Sequence, residues 1–143
     1  MAENKTLSLQ EVVNKTRHIL LETKAFPALE LAGGIKVPLN DTEDQMDVLK
    51  ALQLPVVLCA KSGLGTLNHT FLTVELLKRF GIDVLALFLV GARHEANRLT
   101  LQKRLKHLPI YELDNTTQLQ ATDLHQWLEH NSLQELFDEL RLA

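Results

Sequence analysis

The chain has 143 residues, 45% hydrophobic and 23% charged, the make-up of an ordinary globular protein with room for one domain. Its net charge of −3 argues against nucleic acid as the partner. Cys59 is the only cysteine, the start MAENKTLSLQ is polar, and no apolar run approaches the ~20 residues that span a bilayer; a cytoplasmic protein without disulfides or membrane segments is the expectation.

Ser8 and Glu11 form the capping-box pattern S-L-Q-E ahead of Leu9, Val12, Val13, Ile19 and Leu20, which predicts a helix over residues 8–23. PALEL reads as a short strand with Pro27 at its entry, where a missing N–H does least harm. Gly33 and Gly34 end it, and VPLN forms a loop. Thr42 and Gln45 make a second capping-box pattern before Met46, Leu49 and Leu52.

PVVLCA is a short, continuously apolar run, as expected of a strand covered on both faces, and Cys59 inside it reads as a buried small hydrophobe. KSGLGTLNHT then leads into a helix over residues 67–80, with Lys78 and Arg79 at its negative end and Gly81 just beyond. Leu67, Phe71, Val74 and Leu77 give that helix one core-facing stripe. DVLALFLV predicts another buried strand, residues 92–107 a basic helix, and IYEL a fourth strand. Two short helices follow, the second opened by S-L-Q-E at Ser132 and Glu135. Strands alternating with helices predict a single α/β domain over residues 1–143, with a mainly parallel sheet flanked by helices.

Residues 61–70 hold two glycines between a strand and a helix, but neither phosphate motif is met. The Walker A pattern needs four residues between its glycines and then Lys and Ser or Thr; the dinucleotide fingerprint needs a third glycine, where His69 or Thr70 stands. A helix N-terminus still offers backbone N–H groups to an anion. The turn GLGTLN, with Asn68 in its first helical turn, either caps the helix or contacts a ligand. Glu30, near the end of the PALEL strand, is placed either to hold Mg²⁺ at the functional crevice of an open α/β sheet or simply to face solvent. His125 and His130, five apart, fall on different faces of a helix, which disfavours zinc. The basic face of Arg93, Arg98, Lys103, Arg104 and Lys106 reads first as a solvated surface.

Four stretches, in order and spacing, resemble dethiobiotin synthetase: Glu30-Leu31-Ala32-Gly33-Gly34, Val37-Pro38-Leu39, Pro55-Val56-Val57-Leu58 and the long run from Lys61 through Gly63-Leu64-Gly65-Thr66-Leu67-Asn68-His69-Thr70. The resemblance implies a P-loop NTPase-like fold, a homodimer with sites at the subunit interface, and an ATP- and Mg²⁺-dependent ligase of biotin biosynthesis that closes a ureido ring on 7,8-diaminopelargonate. By the same resemblance Glu30 matches the Mg²⁺-binding glutamate, and Gly33, Gly34 and Pro38 match the loop beside the cofactor site. Leu64, Gly65, Thr66, Leu67 and Asn68 match the helix start that receives the substrate carboxylate. No residue is assigned to catalysis itself. The chain departs from the family in having no G-x-x-x-x-G-K-[ST], in Leu31 where the family has glycine, and in Val90 where it has an adenine-reading asparagine. The expectation is therefore a family protein present as its C-terminal half, completed by a separate N-terminal P-loop chain or by lost sequence. The alternatives are a degenerate, inactive relative serving as a binding or interaction module, and an unrelated small α/β protein. With the Walker A strand absent, the strand of Leu29 to Leu31 either pairs directly with that of Pro55 to Ala60, takes a strand from another chain, or gives way to a swapped homodimer.

Overall fold

The computed structural model describes residues 7–24, 27–114, 120–130 and Leu133. They belong to two compact units, one within Met1–Leu54 and Phe80–Ile82, the other within Pro55–Arg79 and Asp83–Ala143.

The first unit contains α1 (Leu9–Glu22) and α2 (Gln45–Leu52), which contact each other. Ser8 caps α1 as expected: its side chain accepts from Glu11 N–H, and the Glu11 carboxylate accepts from Ser8 N–H. The cap of α2 falls two residues later than the sequence pattern suggested. Asp44 is the N-cap, accepting from Met46 and Asp47 N–H at 2.9 and 3.3 Å, and Asp47 completes the box at Asp44 N–H. Thr42 is used instead in a turn, where Asn40 Oδ1 accepts from its N–H at 3.0 Å. The physical reason is that Asp, a charged acceptor, is at least as good a cap as Thr and also meets the positive end of the helix dipole. α2 ends at Gln53 in the left-handed region, φ 52° and ψ 33°. Val13 and Thr16 of α1, and Gln45, Met46, Val48 and Leu49 of α2, are buried.

PALEL forms no strand. Residues 27–31 are coil, and Pro27, Leu29 and Glu30 are exposed. Pro27 cannot donate to a ladder, and no strand among the described residues pairs with this segment.

The second unit is built on a three-stranded parallel sheet, β1 (Val56–Lys61), β2 (Val84–Val90) and β3 (Ile110–Leu113), in the order β1-β2-β3. The crossovers are α3 (Thr66–Arg79) and α4 (Glu95–Arg104), and α5 (Ala121–His130) follows β3. β2 alternates two apolar faces. Leu87 and Leu89 form a core with Leu101 of α4, against which Leu58, Leu67, Phe71 and Ile110 pack. Ala86 forms the opposite core with Leu133, joined by Phe88, Tyr111, Trp127 and Leu128. A strand covered on both faces needs no polar alternation, which is why VLALFLV reads as a continuous run.

β1 corrects the same expectation for PVVLCA. Its side chains alternate between half-buried and exposed, with Val57 40% exposed and Cys59 exposed. The period of two turns Leu58 and Ala60 toward the core and puts Val57 and Cys59 on the other face. α3 carries the expected stripe: Leu77 is fully buried, and Leu67 and Phe71 pack on the sheet core. The basic helix is shorter than expected, and two of the arginines are paired: Arg98 bonds Glu95 and lies 3.6 Å from Glu112, while Arg93, just before the helix, bonds Asp114 at 3.1 Å. The second C-terminal helix lies outside the described residues.

Candidate anion-binding turn and glycine loop

β1 hands the chain directly to α3 through a tight turn. Ser62 N–H bonds Val90 O at 2.8 Å, continuing the pairing of β1 with β2 one residue past the strand. Gly63 and Gly65 then take positive φ, 126° and 87°, values that side chains with a Cβ disfavour. Thr66 N–H closes the turn on Gly63 O at 3.3 Å, and His69 N–H bonds Gly65 O at 3.1 Å. The N–H groups of Leu64, Gly65, Leu67 and Asn68 find no acceptor among the described residues. They are the donors that every helix start leaves open.

Two further observations bear on this turn. Thr66 is 4% exposed and its Oγ1, like Thr70 Oγ1 and Gln45 Oε1, has no hydrogen-bond partner among the described residues. A buried hydroxyl left so costs about 1–3 kcal/mol. Asn97 of α4 donates from Nδ2 to Gly63 O at 3.0 Å, tying the turn to the neighbouring crossover helix. The side chain of Leu64 projects fully into solvent.

Beside the turn, at the carboxyl ends of β1 and β2, lies an open cleft of about 420 Å³ lined by Cys59, Ala60, Lys61, Ser62, Val90, Gly91 and Ala92. Open α/β sheets place their ligands at this end.

The other residues singled out by sequence lie in the first unit. Gly33 has φ 85°, and a Cβ there would come 3.1 Å from Val37 Cγ2. Gly34 faces open space. Val37 N–H bonds Gly34 O at 2.9 Å, Pro38 bridges to Asp44, and Gln45 Nε2 donates to Ala32 O at 2.6 Å. The glycine loop is thus fastened to the first turn of α2. Glu30 stands just before it, exposed and in coil. Gly33, Gly34 and Pro38 are brought together within this loop, and residues 64–68 within the turn.

The residues present do not by themselves make a site for Mg²⁺ or ATP phosphates. No three His, Cys, Asp or Glu side chains among the described residues gather to hold a metal. Glu30 would offer a single carboxylate, and a phosphate cradle with its lysine is absent from the sequence. Sequence reasoning missed Asn97 and Asp44, and gave Gln45 the role of capping partner to Thr42 where its side chain instead bonds Ala32 O. Asn97 sits among arginines and lysines of a basic helix, and nothing in its spacing signals a bond to a turn 34 residues earlier.

A parallel sheet with helical crossovers, and a glycine turn feeding a helix at the carboxyl end of β1, define an α/β protein, and its family match makes it P-loop NTPase-like. The family model described as AAA domain matches residues 1–122, and the chain belongs to that family. Within it the chain is a relative of the dethiobiotin synthetases. It is 33% identical over 147 residues to the ATP-dependent dethiobiotin synthetase BioD of Bacillus subtilis strain 168, covering 96% of this chain and 62% of that protein. It is 41% identical over 93 residues to BioD of Bacillus velezensis, covering 65% of this chain and 40% of that protein. With the biotin biosynthesis bifunctional protein BioCD of Bordetella avium it shares 40% identity over 90 residues, 63% of this chain and 19% of that protein. The chain therefore spans less than two thirds of these curated relatives. No helix among the described residues is long and apolar enough to cross a membrane.

Proposed function

We propose that this chain is part of a dethiobiotin synthetase-type ligase, acting on 7,8-diaminopelargonate in biotin biosynthesis, and that the turn of residues 63–68 receives the substrate's carboxylate tail. The observation that carries the reading is the turn itself: Leu64, Gly65, Leu67 and Asn68 present N–H groups without acceptors, on a backbone shaped by Gly63 and Gly65. The resemblance to dethiobiotin synthetase makes the ligand a carboxylate; the backbone donors of a helix start suit a carboxylate and a phosphate alike.

Within the same reading Glu30 serves as a ligand to Mg²⁺, and the loop of Gly33, Gly34 and Pro38 stands beside the ATP site. The phosphate loop needed to hold ATP comes from outside these 143 residues, from a complementing chain or segment. The assembled protein is a single α/β domain per subunit and works as a homodimer. Turnover then needs both parts.

The test is to titrate the chain with 7,8-diaminopelargonate while following backbone amide resonances. Shifts centred on residues 64–68 support the reading; a titration that leaves them unmoved removes it. Adding a P-loop segment from a dethiobiotin synthetase, with ATP and Mg²⁺, should then produce dethiobiotin. A second reading, an interaction module without turnover, draws on Val90 at the position where the family has its adenine-reading asparagine. It expects substrate-like anions to bind and no product to form after complementation.

A further inference from the structure

We infer that Asn97 is a positioning residue for the carboxylate-binding turn, aiming the Leu64 N–H at the ligand through the carbonyl of Gly63; this rests on the reading of the turn given above.

Gly63 O accepts two hydrogen bonds, from Asn97 Nδ2 at 3.0 Å and from Thr66 N–H at 3.3 Å. The second is local and long. The first is the shorter and comes from a different element, α4, so it fixes the carbonyl against the body of the unit. Gly63 has φ 126° and nothing within 4 Å of where a Cβ would stand, so its own sterics leave the peptide free to rotate. Its direction is chosen by the two bonds to Gly63 O, and Asn97 supplies the one that comes from outside the turn.

A peptide unit is planar, and the chain contains no cis bonds among the described residues. In a trans peptide the C=O and the following N–H point in opposite directions. Drawing Gly63 O toward Asn97 therefore turns Leu64 N–H away from α4. That N–H has no acceptor among the described residues. Thr66 is buried in the same turn, and its Oγ1 has no hydrogen-bond partner among the described residues. Asn97 is half-buried and its donor is neutral, so it orients the turn without adding a charge that would attract anions elsewhere on the helix.

The test uses the whole chain, Asn97→Asp and Asn97→Ala, backbone amide spectra, and 7,8-diaminopelargonate as titrant. Both variants should shift the ligand-free Leu64 and Gly65 amides while the amides of β2 and β3 stay in place. Affinity should fall about fivefold, the scale of one misdirected hydrogen bond. Unchanged Leu64 amides, or unchanged affinity in both variants, overturns the inference; a merely structural asparagine would lower folding stability and leave the folded protein's affinity alone. A second measurement needs no substitution. The Asn97 side-chain amide peak of the unaltered protein should move with titrant in step with Leu64, and a peak that stays fixed while Leu64 moves overturns the inference. If titrant moves neither residues 64–68 nor Asn97, the reading of the site falls, and the ligand-free Leu64 shift still decides whether Asn97 sets the turn.

Discussion

The imidazole of His69 lies over the α-carbon of Gly65, so that a Cβ added at Gly65 would come 3.3 Å from His69 Cδ2 and 3.5 Å from Nε2. The left-handed backbone, φ 87°, favours glycine by itself, and the ring adds a tight contact to which His69 would yield by a few tenths of an ångström.

Gly65→Ala is accordingly expected to destabilise the chain by about 1–2 kcal/mol, from the left-handed strain with the tight ring contact added. Gly34→Ala, where nothing lies within 4 Å, should change stability by less than about 0.5 kcal/mol. Urea denaturation of the two variants beside the parent protein measures both. Equal losses would show that the turn has no special demand.

The cap of α2 gives a second comparison. Asp44→Ala should cost about 1 kcal/mol, because it removes the acceptor for Met46 and Asp47 N–H. Thr42→Ala should cost less than about 0.5 kcal/mol, since its hydroxyl bonds only the exposed Asn40 Oδ1. The reverse order would restore the cap read from sequence.

Asp47 carries a pH dependence. The Lys50 ammonium bonded to it, and then the Asp44 N–H, hold its carboxyl below the ordinary 3.8. A depressed carboxyl contributes stability that is present above about pH 4 and is lost as pH falls through the lower folded-state value. Asp47→Asn should be less stable than the parent near neutral pH, by under about 1 kcal/mol for so accessible a pair, and the gap should narrow as pH falls through the lowered folded-state value. Denaturation curves across the acid range check the sign.

Trp127, the single tryptophan, donates from Nε1 to Glu112 O at 3.1 Å and stacks on Phe88 with centroids 5.8 Å apart. Trp127→Phe keeps the ring contact and removes the donor, and should cost about 1 kcal/mol. In the parent protein the fluorescence of Trp127 should shift to the red when α5 leaves the sheet. An unchanged emission maximum across unfolding would deny that contact.

Binding of ATP by the chain alone should be absent at micromolar concentrations in a calorimetric titration, and Glu30→Gln should alter nothing there. The cradle of N–H groups and the lysine that meet phosphates in P-loop proteins are missing from the sequence. A saturable low-micromolar isotherm would contradict the role proposed for an outside P-loop segment.

The sequence was most legible where two signals agreed. Ser8 with Glu11, followed by helical spacing, located α1 closely, and the apolar run of residues 84–90 gave β2 because both of its faces are covered. It was least legible where one pattern had two physical causes. Apolar VVLCA has the composition of a buried strand, yet only Leu58 and Ala60 reach the core, and composition does not reveal which neighbours cover a face. PALEL has strand-like residues, but a strand exists only if another pairs with it. The turn of residues 63–68 was visible through its glycines. Its tether to Asn97 was not, because a hydrogen bond between distant elements leaves no local spacing to read.

The order β1-β2-β3 makes neighbours in space of neighbours in sequence. During synthesis each new strand can therefore dock on one already made, with its crossover helix completed in between. Until Ile110 and Tyr111 emerge, β2 presents a bare edge opposite β1, flanked by Leu87 and Leu89 that still lack Leu101 and Ile110 as cover. Such an edge invites pairing with other chains. The exposure lasts from the synthesis of β2 to that of β3, and slowing translation over residues 91–113 should lower the soluble yield.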